Sequence, residues 1–424
     1  MHQTAKPDSI KALLKGIYAE ALKPVLPSHA MQDLSLPKVQ GRIFLLSVGK
    51  AAAQMAAAIH DRLPEGTTGL IVTRHGYAQS GFAPSNIEII EASHPVPDDA
   101  GIQAAQRALA EADLLGEDDQ LLVLMSGGAS ALLPAPAIGI SLAEKQDITR
   151  KLLHCGAPID QMNIVRKHLS AIKGGRLAAR AHPAATYMVA ISDIPGDDIT
   201  MIGSGPSLPD ISTCADTLAI IDQYSIAIPD AIRSRLENGN LETPKPDDPD
   251  MQKVEAMLCA RPADMCQAAI HAVQELGYEA VMLGDALEGD AAQLGQDHAA
   301  LALEYKAEGR KVALISGGEA TVKVRNRDGR GGRCTAYLLA CAIALDGAPD
   351  ICGFAADSDG IDGSEDNAGA FLWPAVLDAM GGKDDAKRWL DDDNSYLAFE
   401  EADALLITGP SGTNVNDLRV ILIG

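Results

Sequence analysis

Two apolar runs in this chain end in Ser-Gly-Gly: Leu121-Leu122-Val123-Leu124-Met125-Ser126-Gly127-Gly128 and Val312-Ala313-Leu314-Ile315-Ser316-Gly317-Gly318. Short uninterrupted apolar runs of this kind read as strands buried on both faces of a parallel sheet. A strand that stops in two glycines leaves bare backbone N–H groups at the carboxyl edge of the sheet, where α/β proteins hold anionic ligands. Two such edges predict two α/β units sharing one site. Taken alone, either Ser-Gly-Gly also reads as a tight turn of small residues.

With 424 residues, the chain exceeds the size at which one core stops growing, so two domains are expected. A hydrophobic fraction of 47% with only 4% aromatics suits helices packed closely on a sheet. The net charge of −23 argues against nucleic acid as a partner and makes any local gathering of Arg and Lys beside glycine informative as an anion site. No run approaches the length of a membrane span, and Met1–Asp8 lack the apolar core of a signal peptide. The expectation is a cytoplasmic protein with no membrane partner. Seven cysteines without a Cys-x-x-Cys spacing indicate reduced thiols, with neither a zinc site nor a disulfide framework.

The periodicity predicts a helix over 9–24, a strand over 42–48 and an alanine-rich helix over 51–59. Strand-like runs follow at 69–73, 87–90, 121–125 and 187–192, an alternation that marks a mostly parallel sheet with crossover helices. Residues 239–250 hold three prolines and four acids, the composition of a linker or long loop. Beyond it come a helix near 263–276, a strand over 279–283, a long helix near 288–307 and the second Ser-Gly-Gly strand. The pattern leaves open which domain takes residues 250–305.

Several motifs carry chemistry. Ser47-Val48-Gly49-Lys50 places a lysine at a helix start that favours anions, without the spacing of a Walker A loop. Arg166, Lys173 and Arg176, spaced seven and three apart, fall near one face if the segment is helical; they would hold a carboxylate or phosphate, or form a solvated basic face. Asp193 closes a strand and Asp197 lies across a Pro195-Gly196 turn, a carboxylate arrangement suited to magnesium, or simply a turn. In Gly329-Arg330-Gly331-Gly332-Arg333 the glycines would let the backbone approach a polyphosphate, with Arg333 offering a planar fork. Upstream, Lys323, Arg325 and Arg327 alternate as on a strand. The run from Asp357 to Gly363 is not an EF-hand, since Ile361 and Asp362 occupy its fifth and sixth positions. The small polar residues from Thr408 to Asp417 read as a site-lining loop.

In this order, the stretches Ser47 to Lys50, Ser126 to Ser130, Asn163 to Arg176, Ser192 to Pro206, Ser316 to Ala320, Gly331 to Arg333, Asp359 to Gly363 and Gly409 to Asp417 resemble the glycerate 2-kinase family, whose C-terminal portion is the MOFRL domain. The resemblance implies an α/β fold with a Rossmann-like three-layer N-terminal domain over 1–245. A smaller α/β MOFRL domain would occupy 246–424, its core at about 308–420, with the active site in the cleft between the two. It implies transfer of the γ-phosphoryl group of ATP to the C2 hydroxyl of D-glycerate, with Mg²⁺, giving 2-phosphoglycerate.

By position, Lys50 and Arg333 match the family's central basic residues and Asp193 the aspartate of its Ser-Asp motif, the implied catalytic residues; we assign Asp193 as magnesium ligand or as base near the hydroxyl, with Asp197 supporting it at the metal. Ser126, Gly127, Gly128, Ser316, Gly317, Gly318, Gly331, Gly332 and Asn414 are the candidates for ATP, and Arg166, Lys173 and Arg176 those for the glycerate carboxylate. One departure stands out: Cys334-Thr335-Ala336 follows Gly-Gly-Arg where the family carries polar residues. The expected partners are small molecules, and a homodimer is compatible with the sequence. Two other readings are a nicotinamide-dependent hydroxypyruvate reductase, which lacks support from any Gly-x-Gly-x-x-Gly after a strand, and a non-catalytic sensor of a small phosphorylated acid.

Overall fold

The computed structural model describes residues 6–78 and 82–424; residues 1–5 of the N-terminal stretch read above lie outside the described residues. The chain forms two compact units, one of Met31–Cys259 and one of Ala260–Gly424 joined by the described residues up to Ala30. This division differs from a boundary at 245/246. The 239–250 stretch is a loop, but it is pinned: Leu241 and Thr243 are buried, and the Lys245 ammonium lies 2.6 Å from Glu242. The strand after it completes the first sheet.

In the first unit, strands β1 (Ile43–Val48), β2 (Thr68–Arg74), β3 (Ile87–Ala92), β4 (Gln120–Met125), β5 (Ala185–Ile191) and β6 (Val254–Ala260) form one sheet in the order β3-β2-β1-β4-β5-β6. All pairings from β3 through β5 are parallel, with Leu46 opposite both Leu70 and Val123. β1 and β4 are buried at every position, which is why they read as unbroken apolar runs. On one face Phe44, Leu46, Val48, Leu121 and Val123 pack with Ala104, Ala105, Ala108 and Ala112 of the helix Asp99–Ala112, whose short side chains let it lie close to the sheet. Between β5 and β6, and just before β5, the helices Leu142–His154, Ile159–His168, Cys214–Gln223 and Asp230–Glu237 build a second, smaller core around Ile148, Leu152, Val165, Ile221 and Leu236.

The second unit carries β7 (Glu279–Gly284), β8 (Gly289–Asp290), β9 (Val312–Gly318), β10 (Ala320–Thr321), β11 (Ile351–Asp357), β12 (Gly369–Leu372), β13 (Leu405–Leu406) and β14 (Asp417–Ile423). Its main sheet, ordered β13-β12-β11-β14-β9-β7, is mixed: β7 and β9 are parallel and the other pairings antiparallel, while β8 and β10 form a separate parallel pair. The first helix (Pro7–Leu22) belongs to this unit because Tyr18 packs edge-on against Phe354, 5.7 Å between centroids, and its hydroxyl donates to the Asp357 carbonyl. Residues 322–332 form no strand, so Lys323, Arg325 and Arg327 do not share a pleated face. Among the described residues no helix is long and apolar enough to cross a membrane.

Candidate functional site

In the first unit the turn after β1 meets the end of β4. The Lys50 N–H donates to the Gly127 carbonyl (2.9 Å) and the Ala51 N–H to Ser126 Oγ (3.0 Å). Gly49 sits at φ 129° with Ser126 Oγ 2.2 Å from where a Cβ would stand, so the contact requires glycine. Gly128, at φ 84°, turns the chain into a short helix beneath the His94 ring, and a Cβ there would lie 3.6 Å from Lys50 Cγ. The first Ser-Gly-Gly is therefore a true strand end, with the stem of Lys50 beside it.

Gly128 lines a cavity of about 450 Å³ together with Arg166, Lys173 and a residue that the sequence reading missed, Lys145. Lys145 occupies the apolar stripe of the helix Leu142–His154, spaced with Ile148 and Leu152, and is 8% exposed. That spacing, a lysine in line with core positions, is the signal by which it could have been found. Its ammonium has no hydrogen-bond partner among the described residues, and burial, with Arg176 and Arg166 nearby, pushes its pKa down to about 7. Burial also lowers Arg166, and burial with Lys145 and Arg166 lowers Lys173 well below the usual lysine range. No carboxylate enters among the forces on these three groups. A fourth cation on the lining, Arg150, is paired with Asp147 at 3.6 Å; in a chain of charge −23, the other three stand out.

The Arg166/Lys173/Arg176 stripe is not one helical face. The helix Ile159–His168 ends before Lys173, and Arg176 starts another at Arg176–Ala181. Arg176 lines neither this cavity nor the other one described below: it donates to the carbonyls of Lys167, Leu241 and Glu242, tying the segment to the 239–250 loop. Lys173 donates to Ser130 O (3.2 Å), Ser130 Oγ (2.8 Å) and Gly203 O (2.9 Å), so it brings charge to the cavity with its protons already engaged. Asp193 follows β5, and Asp197, at φ 56° after the Pro195-Gly196 turn, has a buried Oδ1 without a hydrogen-bond partner among the described residues. The one converging His/Cys/carboxylate group found among the described residues is another set, His168, Cys214 and Glu242.

The second Ser-Gly-Gly behaves differently. Gly317 and Gly318 stay in the ladder of β9, opposite Leu418 and Asp417 of β14. Their carbonyls are occupied, Gly317 O by Leu287 N–H and Arg419, and Gly318 O by Arg419. A Cβ on Gly318 would stand 2.2 Å from Leu287 N, so glycine is needed there because the protein's own backbone covers the strand. Ser316 Oγ is buried and unpaired among the described residues.

Gly331, Gly332 and Arg333 line a second cavity, of about 550 Å³. Here the helix N-terminus of Arg333–Leu345 already holds an anion: Asp362 accepts from Cys334 N–H (3.0 Å), Thr335 N–H (2.8 Å) and Thr335 Oγ1 (2.8 Å). Gly332 is glycine because the Asp362 carboxylate would lie 2.2 Å from a Cβ. Burial raises the Asp362 carboxyl to about 6 against the lowering effect of those three donors. Thr335, read as a departure from the family, thus completes the cap. Arg333 is held by Asp417 (2.8 Å), Asp357 (2.7 Å) and Glu319 (3.2 Å); burial opposes its charge, but Asp417 and Asp357 raise its pKa further. Its fork is thus occupied by carboxylates. Asn414 is buried in a loop that packs on Ser358 and Asp359 through Val415 N–H and Ser411 N–H, and lines neither cavity.

The chain matches the family described as Domain of unknown function (DUF4147) over residues 13–237 and the MOFRL family over residues 312–417. It is 43% identical to an Agrobacterium vitis protein that carries the provisional name hydroxypyruvate reductase, over 98% of this chain and 95% of that one. It is 38% identical to the D-glycerate 2-kinase of Thermotoga maritima, over 98% of this chain and 99% of that protein. The crystal structure of glycerate kinase from Thermotoga maritima is similar with a TM-score of 0.87 at 37% identity, covering 99% of this chain and 100% of that chain.

Proposed function

Because this chain belongs to the MOFRL/DUF4147 glycerate kinase family, we propose that it phosphorylates D-glycerate at C2 with ATP, giving 2-phosphoglycerate and ADP. The observation that carries this reading is the 38% identity to the Thermotoga D-glycerate 2-kinase across nearly the whole of both chains. In the reaction the C2 hydroxyl oxygen attacks the γ-phosphorus and the bond to the β–γ bridging oxygen breaks. The hydroxyl proton passes to a carboxylate, for which Asp193 is our assignment.

Such a transfer asks for positioning and charge rather than covalent chemistry. Lys50, set on the turn that Gly49 and Ser126 hold rigid, supplies a cation to the transferring phosphoryl group. The residues that would hold Mg²⁺ are Asp193 and Asp197. The unpaired buried Oδ1 of Asp197 fits a hard cation, which when bound would neutralise phosphate oxygens. Arg333 we assign to positioning Asp357 and Asp417, on which its Nη2 and Nε are engaged. Arg166 remains a proposed anion contact, joined by Lys145 in place of Arg176, while Lys173, its protons engaged by Ser130 and Gly203, adds positive field beside them.

Incubation with ATP, Mg²⁺ and D-glycerate, with the products resolved by phosphorus NMR, tests the proposal: a C2 phosphomonoester and ADP are expected, and a C3 ester or unchanged ATP overturns it. The name of the Agrobacterium relative favours a second reading, hydroxypyruvate reduction. Loss of nicotinamide absorbance on adding hydroxypyruvate would support that alternative.

A further inference from the structure

We propose that the cavity lined by Lys145, Arg166 and Lys173 is the nucleoside triphosphate site, with the phosphate chain over the three cations and the base against the apolar wall of Val96, Leu142 and Leu153. This rests on the kinase reading and assigns which of the two substrates the cavity takes.

Charge is the first argument. Two buried cations, Lys145 and Lys173, and the half-buried Arg166, with no carboxylate acting on them, are poorly matched to glycerate, which carries a single negative charge. A triphosphate carries about four, and each buried cation needs a counter-charge to offset its lost hydration. Lys145, 8% exposed and without a hydrogen-bond partner among the described residues, is the group most in want of one. Lys173 supplies field alone, its protons being taken by Ser130 and Gly203, so direct contact falls to Lys145 and Arg166.

Size and lining are the second. A cavity of about 450 Å³ lies in the range of roughly 300–1,000 Å³ that organic ligands of drug size occupy, well beyond the needs of a three-carbon acid. Glycerate bears oxygen on every carbon and gains nothing from an apolar wall. Here Val96 is 66% exposed and Leu153 57% exposed at the cavity lining, with Leu142 beside them, surface that a flat heterocycle would cover. Gly128 lies on the same lining, and a Cβ there would stand 3.6 Å from Lys50 Cγ, so the stem of the lysine assigned to the reacting phosphate borders this cavity.

The test uses the full chain and two probes, the non-hydrolysable analogue AMP-PNP and inorganic tripolyphosphate, titrated calorimetrically, with KM for D-glycerate measured in parallel. Lys145→Met, which keeps the length of the side chain, is expected to weaken both probes tenfold or more while KM for glycerate moves less than about twofold. Leu153→Gln is expected to weaken AMP-PNP severalfold and leave tripolyphosphate unchanged. If Lys145→Met leaves AMP-PNP binding intact, or raises the glycerate KM instead, the cavity is not the nucleotide site. A wild-type chain that binds no AMP-PNP overturns the kinase reading and this site together. A wild type that binds it no better than Lys145→Met overturns the site alone.

Discussion

Replacing Lys145 by methionine should stabilise the protein. Burial holds this ammonium at about 7, against 10.5 in the unfolded chain, so below pH 7 the folded state carries a proton that it binds far less tightly than the unfolded state does. At about 1.4 kcal/mol per pH unit, the gap corresponds to roughly 5 kcal/mol of destabilisation at pH 6, and relaxation around the charge brings the expected value to about 2–4 kcal/mol. The sign follows from proton counting. Between pH 7 and 10.5 the unfolded chain binds more protons than the folded one, so wild-type stability rises with pH through that window. The penalty is complete below 7 and absent above 10.5. Methionine removes the charge and keeps the apolar stem beside Ile148 and Leu152. For a unit the size of Met31–Cys259, each kcal/mol shifts the melting temperature by about 2–4 °C. Scanning calorimetry at pH 6, 8 and 10.5 should therefore show Lys145→Met melting roughly 5–10 °C above wild type at pH 6, with the difference closing toward pH 10.5. An equal or lower melting temperature at pH 6, or a gap indifferent to pH, would refute the account of Lys145 as an unpaired buried cation retained for binding at the expense of stability.

Three other outcomes follow from the same geometry. Lys50→Ala should fold normally and lose about a hundredfold or more in kcat, since one preorganised cation on transition-state charge is typically worth about 3 kcal/mol; coupled ADP-release kinetics measure it, and near wild-type turnover removes Lys50 from the mechanism. Arg176→Met should cost roughly 2–4 kcal/mol of stability by leaving the carbonyls of Lys167, Leu241 and Glu242 without their donor, yet hold KM for glycerate within about twofold; a large KM change would return Arg176 to the substrate. Because burial raises the Asp362 carboxyl from 3.8 to about 6, the folded chain binds more protons than the unfolded one across that interval, and stability falls as pH rises through it. Asp362→Asn should flatten that segment of the melting profile, and an unchanged slope would show that the carboxylate is not the group responsible.

Much of this protein was legible from the chain alone. β1, β4 and β9 are runs in which every residue is buried, and a strand of that kind announces itself by composition because neither face has water to satisfy. The family was legible for a related reason: motifs such as Ser47 to Lys50 and Ser126 to Ser130 are local, and their order survives without knowledge of contacts. What the sequence could not decide was whatever depends on the partner across a gap. A glycine pair permits close approach equally to a ligand and to the protein's own backbone, and only the packed chain distinguishes Gly128, which lines a cavity, from Gly318, which lies under Leu287. Arg176 lost its expected role, and Lys145, of which none was expected, gained one, for the same reason. An arginine becomes structural when three carbonyls from elsewhere in the chain converge on it, and a lysine at an ordinary helical position becomes a candidate binding group when no acceptor does. The first helix joins a unit whose other residues begin at Ala260, because Tyr18 finds Phe354 and the Asp357 carbonyl there. Strand periodicity is set by the backbone's own repeat and is written into any short window. Solvation and pairing of a charge are properties of the surroundings that only the tertiary structure supplies.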